Sequence, residues 1–375
     1  MKKIIYVGYY NSLKNEQKRN CVLAATNKMD YIIEKLDEEY QVTVLSISES
    51  RETKSYSKIE EKLFNKSKLI LFPTLKYGNG IQRKIQRFFI KLHFIKYILQ
   101  NTNKSTKIIV YHSLGYMNII KWLKKIKQFK LILEVEEIYA DVLEDKKLRE
   151  KEISFTQIAD GYIFPTELLN KEINKENKPY CIIHGTYKVE EERKEKFNDN
   201  KIHIVYAGTF DPRKGILEAI KSTEYLDNKY HLHILGFGTT QEIENVQSMI
   251  KEKKNNTCLI TYEGLKSGDE YIELIQKCNI GLSPQDPTAI FNETSFPSKI
   301  LSYMANGLRV VSIKIPSIQK SQIGKYMYYY DKQSPKEIAE VIKKINLSDK
   351  YNSRNIIKKL DNEFKVSINN LLKTL

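Results

Sequence analysis

Cysteine is scarce. Cys21, Cys181, Cys258 and Cys278 are scattered through 375 residues, with no C-x-x-C pair and no histidine cluster beside them. That argues against a disulfide framework or a structural zinc site and suits reduced core thiols. Long apolar runs are also missing: no stretch approaches the roughly 20 residues that a spanning helix needs. The opening Met1–Gly8 is too short for a signal sequence, and the polar Asn11–Asn20 follows where a cleavage site would stand. It reads as a first buried strand. Repeats at solenoid periods and low-complexity tracts are absent as well.

Acid is absent from one long window. Between Ile81 and Lys130 stand Arg83, Lys84, Arg87, Lys91, Lys96, Lys104, Lys107, Lys121, Lys124, Lys125, Lys127 and Lys130, and no Asp or Glu. The whole chain carries a net charge of +16, so most of its excess sits here. Such a patch attracts polyanions, either nucleic acid or an anionic membrane face.

What is present is ample apolar material. Hydrophobic residues make up 41%, enough for folded cores, and 375 residues exceed one comfortable core, so two domains are expected. Short β-branched runs alternate with amphipathic stretches, the pattern of parallel α/β units. Strands are expected at 3–8, 41–47, 68–72, 107–112, 131–135, 161–164 and 180–183. A second series is expected at 202–207, 231–235, 258–262, 280–283 and 309–313. The charged segment 188–200 lacks apolar periodicity and reads as a linker. The expected division is therefore 1–187, linker 188–200, 201–348, and a helical tail over 349–375. Two open parallel sheets would place a ligand cleft outside the carboxyl ends of their strands.

Four segments carry the chemistry. Tyr206-Ala207-Gly208-Thr209-Phe210-Asp211-Pro212-Arg213-Lys214-Gly215 follows the first strand of the second half. Its glycine permits close backbone approach, and its basic pair suits a phosphate. Gly236-Phe237-Gly238 and Tyr262-Glu263-Gly264-Leu265 end the next two strands; alone, each is a weak signal. In Phe291–Gly307, Pro297 opens a helix whose free amides and positive end suit an anion, and Glu293 lies on the loop before it.

Taken in order, these segments resemble the donor half of GT-B glycosyltransferases, glycosyltransferase family 4 in particular, well over Lys201–Ile313 and loosely before it. The resemblance implies an α/β fold of two Rossmann-like domains facing a cleft. It implies that Gly208, Thr209, Arg213, Lys214, Gly236, Gly238, Glu263, Gly264, Leu265, Ser298, Lys299 and Ser302 bind a nucleotide diphosphate sugar. Lys214 would contact phosphate, Glu293 the donor sugar, and the Glu263-Gly264-Leu265 loop the base. Two positions depart: Thr209 stands where the family usually has Arg, and Ser302 where it has the second of two Glu residues. In the first half the resemblance places His112 near the reacting groups. Glu134, Glu136 and Glu137 crowd a strand end, where repulsion raises a pKa, and Glu137 is the expected base. His184-Gly185-Thr186 reads as a hinge, and His203, His231 and His233 as structural. With no D-x-D in the chain, neither metal nor cofactor is expected, and basic side chains with helix dipoles would stabilise the leaving group.

The expected activity is metal-independent, retaining sugar transfer to a lipid-linked or glycan acceptor in envelope polysaccharide synthesis. Arg83, Lys84, Arg87 and Lys91, with Phe88, Phe89, Phe94, Tyr97 and Trp122 interleaved, would dock a cytoplasmic protein on the anionic inner leaflet. The alternatives are an inactive GT-B partner subunit, another GT-B enzyme such as a nucleotide-sugar epimerase, and a basic nucleic-acid-binding protein. No specific nucleic acid is expected, because no recognition motif is present.

Overall fold

The computed structural model describes residues 2–12, 16–76, 78–253 and 258–375, without the side chains of 290 and 291, so the Phe291 side chain lies outside the described residues. The chain divides into two compact units. The first comprises 1–165, 169–183 and 364–375, the second 166–168 and 184–363.

In the first unit the strands are β1 (Lys2–Gly8), β2 (Tyr40–Ser46), β3 (Ile59–Lys62), β4 (Lys68–Leu71), β5 (Lys107–Tyr111), β6 (Lys130–Glu134), β7 (Gly161–Phe164) and β8 (Tyr180–Ile182). They form one sheet in the order β3-β4-β2-β1-β5-β6-β7-β8. Every pairing is parallel except β3 with β4. Near-continuous apolar runs such as Ile4–Val7 and Ile108–Val110 fit strands covered on both faces, and these residues are buried. β3 was not expected: Ile59-Glu60-Glu61-Lys62 has almost no apolar content and survives only as an edge. The first long helix spans Leu23–Leu36. Arg19 is buried in an isolated bridge with Ser50, and its guanidinium donates to the Ser48 carbonyl at 3.0 Å.

The second unit holds β9 (Ile202–Thr209), β10 (Tyr230–Phe237), β11 (Leu259–Gly264), β12 (Ile280–Ser283), β13 (Arg309–Ile313) and β14 (Tyr328–Tyr330). Their order is β11-β10-β9-β12-β13-β14, with parallel pairing throughout. Order reverses between β9 and β12, so the carboxyl end of β9 stands at the topological switch point, where open α/β sheets bind ligands. β14, Tyr-Tyr-Tyr, is too short to read from periodicity. The segment 188–200 groups with this unit. Arg193 donates its backbone N–H to Gln276 Oε1 at 2.8 Å, and Lys196 Nζ donates to the Gln276 carbonyl at 2.8 Å.

The C-terminal helix spans Ser353–Thr374. Within the first unit Phe364 stacks on Tyr31 with ring centroids 5.7 Å apart, and Lys365 pairs with Glu38 at 2.7 Å. Among the described residues no helix is long and apolar enough to cross a membrane.

Candidate active site

The carboxyl ends of β9 and β10 approach so closely that only glycine fits. Gly236 has φ +154, and a Cβ there would fall 1.8 Å from the Gly208 carbonyl oxygen. The turn after β9 is held as tightly. Gly215 has φ +77, and a Cβ would fall 1.6 Å from the Pro284 carbonyl oxygen. The Asp286 N–H donates to the Arg213 carbonyl at 3.0 Å, so the loops after β9 and β12 are tied together. Asn292 Nδ2 donates to the Asp286 carbonyl at 2.7 Å, and Ser317 Oγ donates to the Asn292 carbonyl at 2.9 Å. This anchors the turn that presents the exposed Glu293.

Beneath this turn lies the helix Ser298–Ala305, entered through Pro297 as the sequence suggests. Its face is fixed by Tyr303, whose hydroxyl accepts the Ala207 N–H at 2.7 Å. One turn earlier, Lys299 is directed at the end of β9. Its stem is half-exposed, but its Nζ is buried without a hydrogen-bond partner. That ammonium sits 3.9 Å from the centroid of the Tyr206 ring, and a Cβ on Gly208 would lie 3.1 Å from it. Burial first, and the charge of Lys214 second, push the Lys299 pKa down to about 7. The Lys299 ammonium therefore sits at the backbone of Gly208, within reach of the Lys214 charge and with no carboxylate on it among the described residues. A buried cation left unpaired is costly unless an anion arrives.

The other residues expected to bind a donor divide. Arg213 is engaged by Asp211, its Nη2 donating at 2.8 Å and its Nε at 3.1 Å. Thr209 offers its carbonyl to the Tyr206 hydroxyl at 2.8 Å. Ser302 Oγ lies 2.9 Å from the Tyr271 hydroxyl. Glu263 turns its carboxylate to His233 Nδ1 at 2.8 Å, leaving Gly264, at φ +74, and the exposed Leu265 as the outward part of that loop. Gly238 packs on Glu242 and Phe210, where a Cβ would meet Glu242 Oε2 at 2.7 Å. Ser298 is exposed at the helix start. His184 stacks on Phe296 at 4.7 Å, and a Cβ on Gly185 would fall 2.7 Å from Leu301 Cδ1, so this turn packs on the same helix.

The first unit holds His112 and Glu137. His112 follows β5 and is buried between the rings of Tyr139 and Phe155, with centroids 5.5 and 5.8 Å away. Its Nε2 lies 2.7 Å from Glu152 Oε1, and that carboxylate also accepts the N–H groups of Tyr139 and Ala140 at 3.0 and 2.9 Å. A carboxylate at Nε2 fixes the proton there and leaves Nδ1, buried and unpartnered, as an acceptor. Glu152 has no motif around it. Of the three neighbouring carboxylates, Glu134 is fully buried at the end of β6, and its pKa is raised. Burial drives it up to about 8, opposed by Lys28, and it accepts the Tyr6 hydroxyl. Glu136 is ion-paired with the buried Lys28. Glu137 is half-exposed.

Comparison with known proteins places this arrangement. Residues 188–361 match the family model described as glycosyl transferases group 1. No curated protein matches the sequence. Among solved structures, an E. coli trehalose-6-phosphate protein bound with UDP-2-fluoro glucose superposes with TM-score 0.70 at 10% identity, covering 100% of this chain and 99% of that one. The trehalose 6-phosphate synthase of Burkholderia multivorans gives TM-score 0.70 at 9% identity, covering 100% and 97%. Anabaena HepE, in complex with UDP, gives 0.66 at 11% identity, covering 100% of both chains. At such identity the likeness is one of fold, and that fold is GT-B. The chain is a glycosyltransferase, on the group 1 match over its second unit. The neighbours are not specifically of family 4.

Proposed function

We propose that the chain transfers a sugar from a nucleoside diphosphate sugar to a lipid-linked or glycan acceptor, in the manner of family 4. The observation that carries this reading is the buried, unpartnered Lys299 ammonium beside Gly208 and Lys214, at the switch point of the second sheet. A diphosphate is the anion that two lysines and a helix start suit, and their charge would stabilise it as it departs. No divalent ion is then needed at that step. Glu293 would hold the donor sugar and the Gly264 backbone the base. His112, with its acceptor nitrogen fixed by Glu152, would orient the acceptor hydroxyl, and configuration would be retained. The UDP and UDP-2-fluoro glucose in the complexes above support the donor class.

We further propose that the protein works on the anionic face of the cytoplasmic leaflet, building cell-envelope polysaccharide. On the helix Gly80–Asn101, Ile81, Ile85, Phe88 and Leu92 form an exposed stripe, and Trp122 and Ile126 are exposed on the helix Met117–Lys127. Exposed Arg83, Lys84, Lys121 and Lys125 flank them. An apolar stripe bordered by cations suits a lipid interface better than a duplex groove. Phe94, by contrast, belongs to the core.

A second reading has its own support. Arg213 is engaged by Asp211, and Ser302 is neutral, which suits a subunit that binds donor without turning it over. A thermal-shift panel of nucleoside diphosphates and nucleotide sugars, followed by donor hydrolysis in the absence of acceptor, decides both. Selective stabilisation by one diphosphate is expected. No response to any of them would remove the donor site, and binding without any turnover would leave the partner-subunit reading.

A further inference from the structure

A second polar cluster lies towards the opposite end of the strands that carry the donor site. His203 is the second residue of β9, and His231 and His233 are the second and fourth of β10. Register pairs His231 with His203, so all three project from one face of the sheet. Thr261 of β11 pairs with His233, and Glu263 stands two residues further along, where the register shifts and turns its carboxylate to His233. Phe197, from the charged segment ahead of β9, covers the cluster. Its ring lies 4.0 Å from that of His203 and 4.8 Å from that of His233. His203 and His233 are buried and His231 half-buried, and the ligand-capable atoms of the three lie within 4.8 Å of one another.

A proton count shows what this cluster lacks. His203 Nε2 lies 2.8 Å from Asp199 Oδ1, and His233 Nδ1 lies 2.8 Å from Glu263 Oε1. A carboxylate only accepts, so each of those ring nitrogens carries its ring's proton. The remaining nitrogens, His203 Nδ1 and His233 Nε2, then face each other at 2.9 Å with a lone pair each. A further proton between them would make an imidazolium. Without that proton the two lone pairs face each other with nothing between them.

We propose that His203, His231 and His233 bind a divalent transition-metal ion, with Zn2+ the best fit, between the facing lone pairs. Neutral imidazoles suit such ions, and a ligating histidine usually donates its other N–H to a carboxylate, as Asp199 and Glu263 accept here. Zn–N bonds of about 2.0–2.1 Å in a tetrahedral set place ligand nitrogens roughly 3.3 Å apart. The His203–His233 pair must therefore open by a few tenths of an ångström, and His231 must draw in. His231 Nε2 lies 2.8 Å from Thr261 Oγ1. The hydroxyl accepts its proton and leaves Nδ1 as the third ligand, with a water completing the set. The ion is structural. It joins β9 to β10 and, through Asp199, holds down the segment ahead of β9. Gly208 and Gly236 stand five and three residues further along the strands, about 10–17 Å away at a strand rise of ~3.3 Å. The ion takes no part at the diphosphate.

The test uses tag-free full-length protein, stripped with chelator and titrated with Co2+ and then Zn2+. One equivalent of Co2+ should bind with the intense visible absorption of tetrahedral cobalt and be displaced by Zn2+, and Zn2+ should raise Tm. Asp199→Asn should weaken Zn2+ by about tenfold to a hundredfold. His233→Ala should abolish binding. Because that buried change can unfold the chain, His231→Gln at the half-buried position is the second variant. It is expected to weaken Zn2+ by at least about tenfold while the thermal response to nucleoside diphosphates is unchanged. Failure of the parent to take up stoichiometric Co2+ or Zn2+ would overturn the proposal. So would His231→Gln binding Zn2+ as tightly as the parent does.

Discussion

Lys299→Met removes a buried charge from the proposed donor site while keeping a linear apolar stem. A fall in pKa from 10.5 to about 7 corresponds to on the order of 5 kcal/mol against the charged form, at about 1.4 kcal/mol per pH unit. Because the folded-state value lies below the unfolded one, the unfolded chain binds more protons between about pH 7 and 10.5. The ligand-free protein therefore gains stability as pH rises through that window. The penalty is complete below about pH 7, and there the methionine variant should melt several degrees higher than the parent. Near pH 10 the two should converge. Ligand binding runs the other way. A diphosphate recharges Lys299, so parent affinity should fall by up to about tenfold per pH unit between about 7.5 and 9. The variant should lose that slope, together with about tenfold to a hundredfold of affinity at pH 7, the worth of a charge-assisted contact. Calorimetric titration in two buffers of different ionisation heat counts the proton taken up. Equal pH slopes for parent and variant, or a variant that melts lower at pH 6.5, would refute the reasoning.

Lys214→Ala should weaken a nucleoside diphosphate by roughly 1.5–3 kcal/mol and the free nucleoside hardly at all, since only the former carries the phosphates; calorimetry with both ligands checks this. Tyr303→Phe strands the buried Ala207 N–H that its hydroxyl accepts at 2.7 Å and should cost about 1–3 kcal/mol of stability by urea unfolding. Sedimentation with liposomes should show binding to anionic but not neutral lipid, released by salt. It should be lost when Arg83, Lys84, Lys121 and Lys125 are all reversed to Glu, with diphosphate binding intact. Arg87 and Lys91 are left alone because Arg87 pairs with Glu49 at 3.1 Å and Lys91 lies 5.3 Å from the Tyr116 ring centroid.

The parallel strands were legible because burial on both faces demands runs such as Ile108-Ile109-Val110, which no turn or exposed helix tolerates. Edges were not. Ile59–Lys62 and Tyr328–Tyr330 are held by one neighbour apiece, so neither needs a pattern that marks it as a strand. The helix start at Pro297 was legible because proline has few other places to go. The burial of Arg19 was not legible, because it depends on Ser48, 29 residues away, which no local window reveals.

Side-chain chemistry follows the same division. Gly208, Gly215 and Gly236 could be picked out because their requirement is a property of the backbone at that very position. The partners that set the state of a titrating group come from far along the chain. Crowding of Glu134, Glu136 and Glu137 is visible on sequence, but the burial that raises the Glu134 pKa to about 8 is not, because only β6 in its sheet buries that side chain. His112 was legible as a strand-end histidine, but the Glu152 that fixes its tautomer stands 40 residues later in a helix without a motif. His203 and His233 are 30 residues apart and carry no metal-ligand spacing, and parallel register alone brings them face to face. A spacing motif detects ligands that share one turn or helix. Ligands assembled across neighbouring parallel strands leave a trace only in the register, so their chemistry becomes readable when the strand order is known.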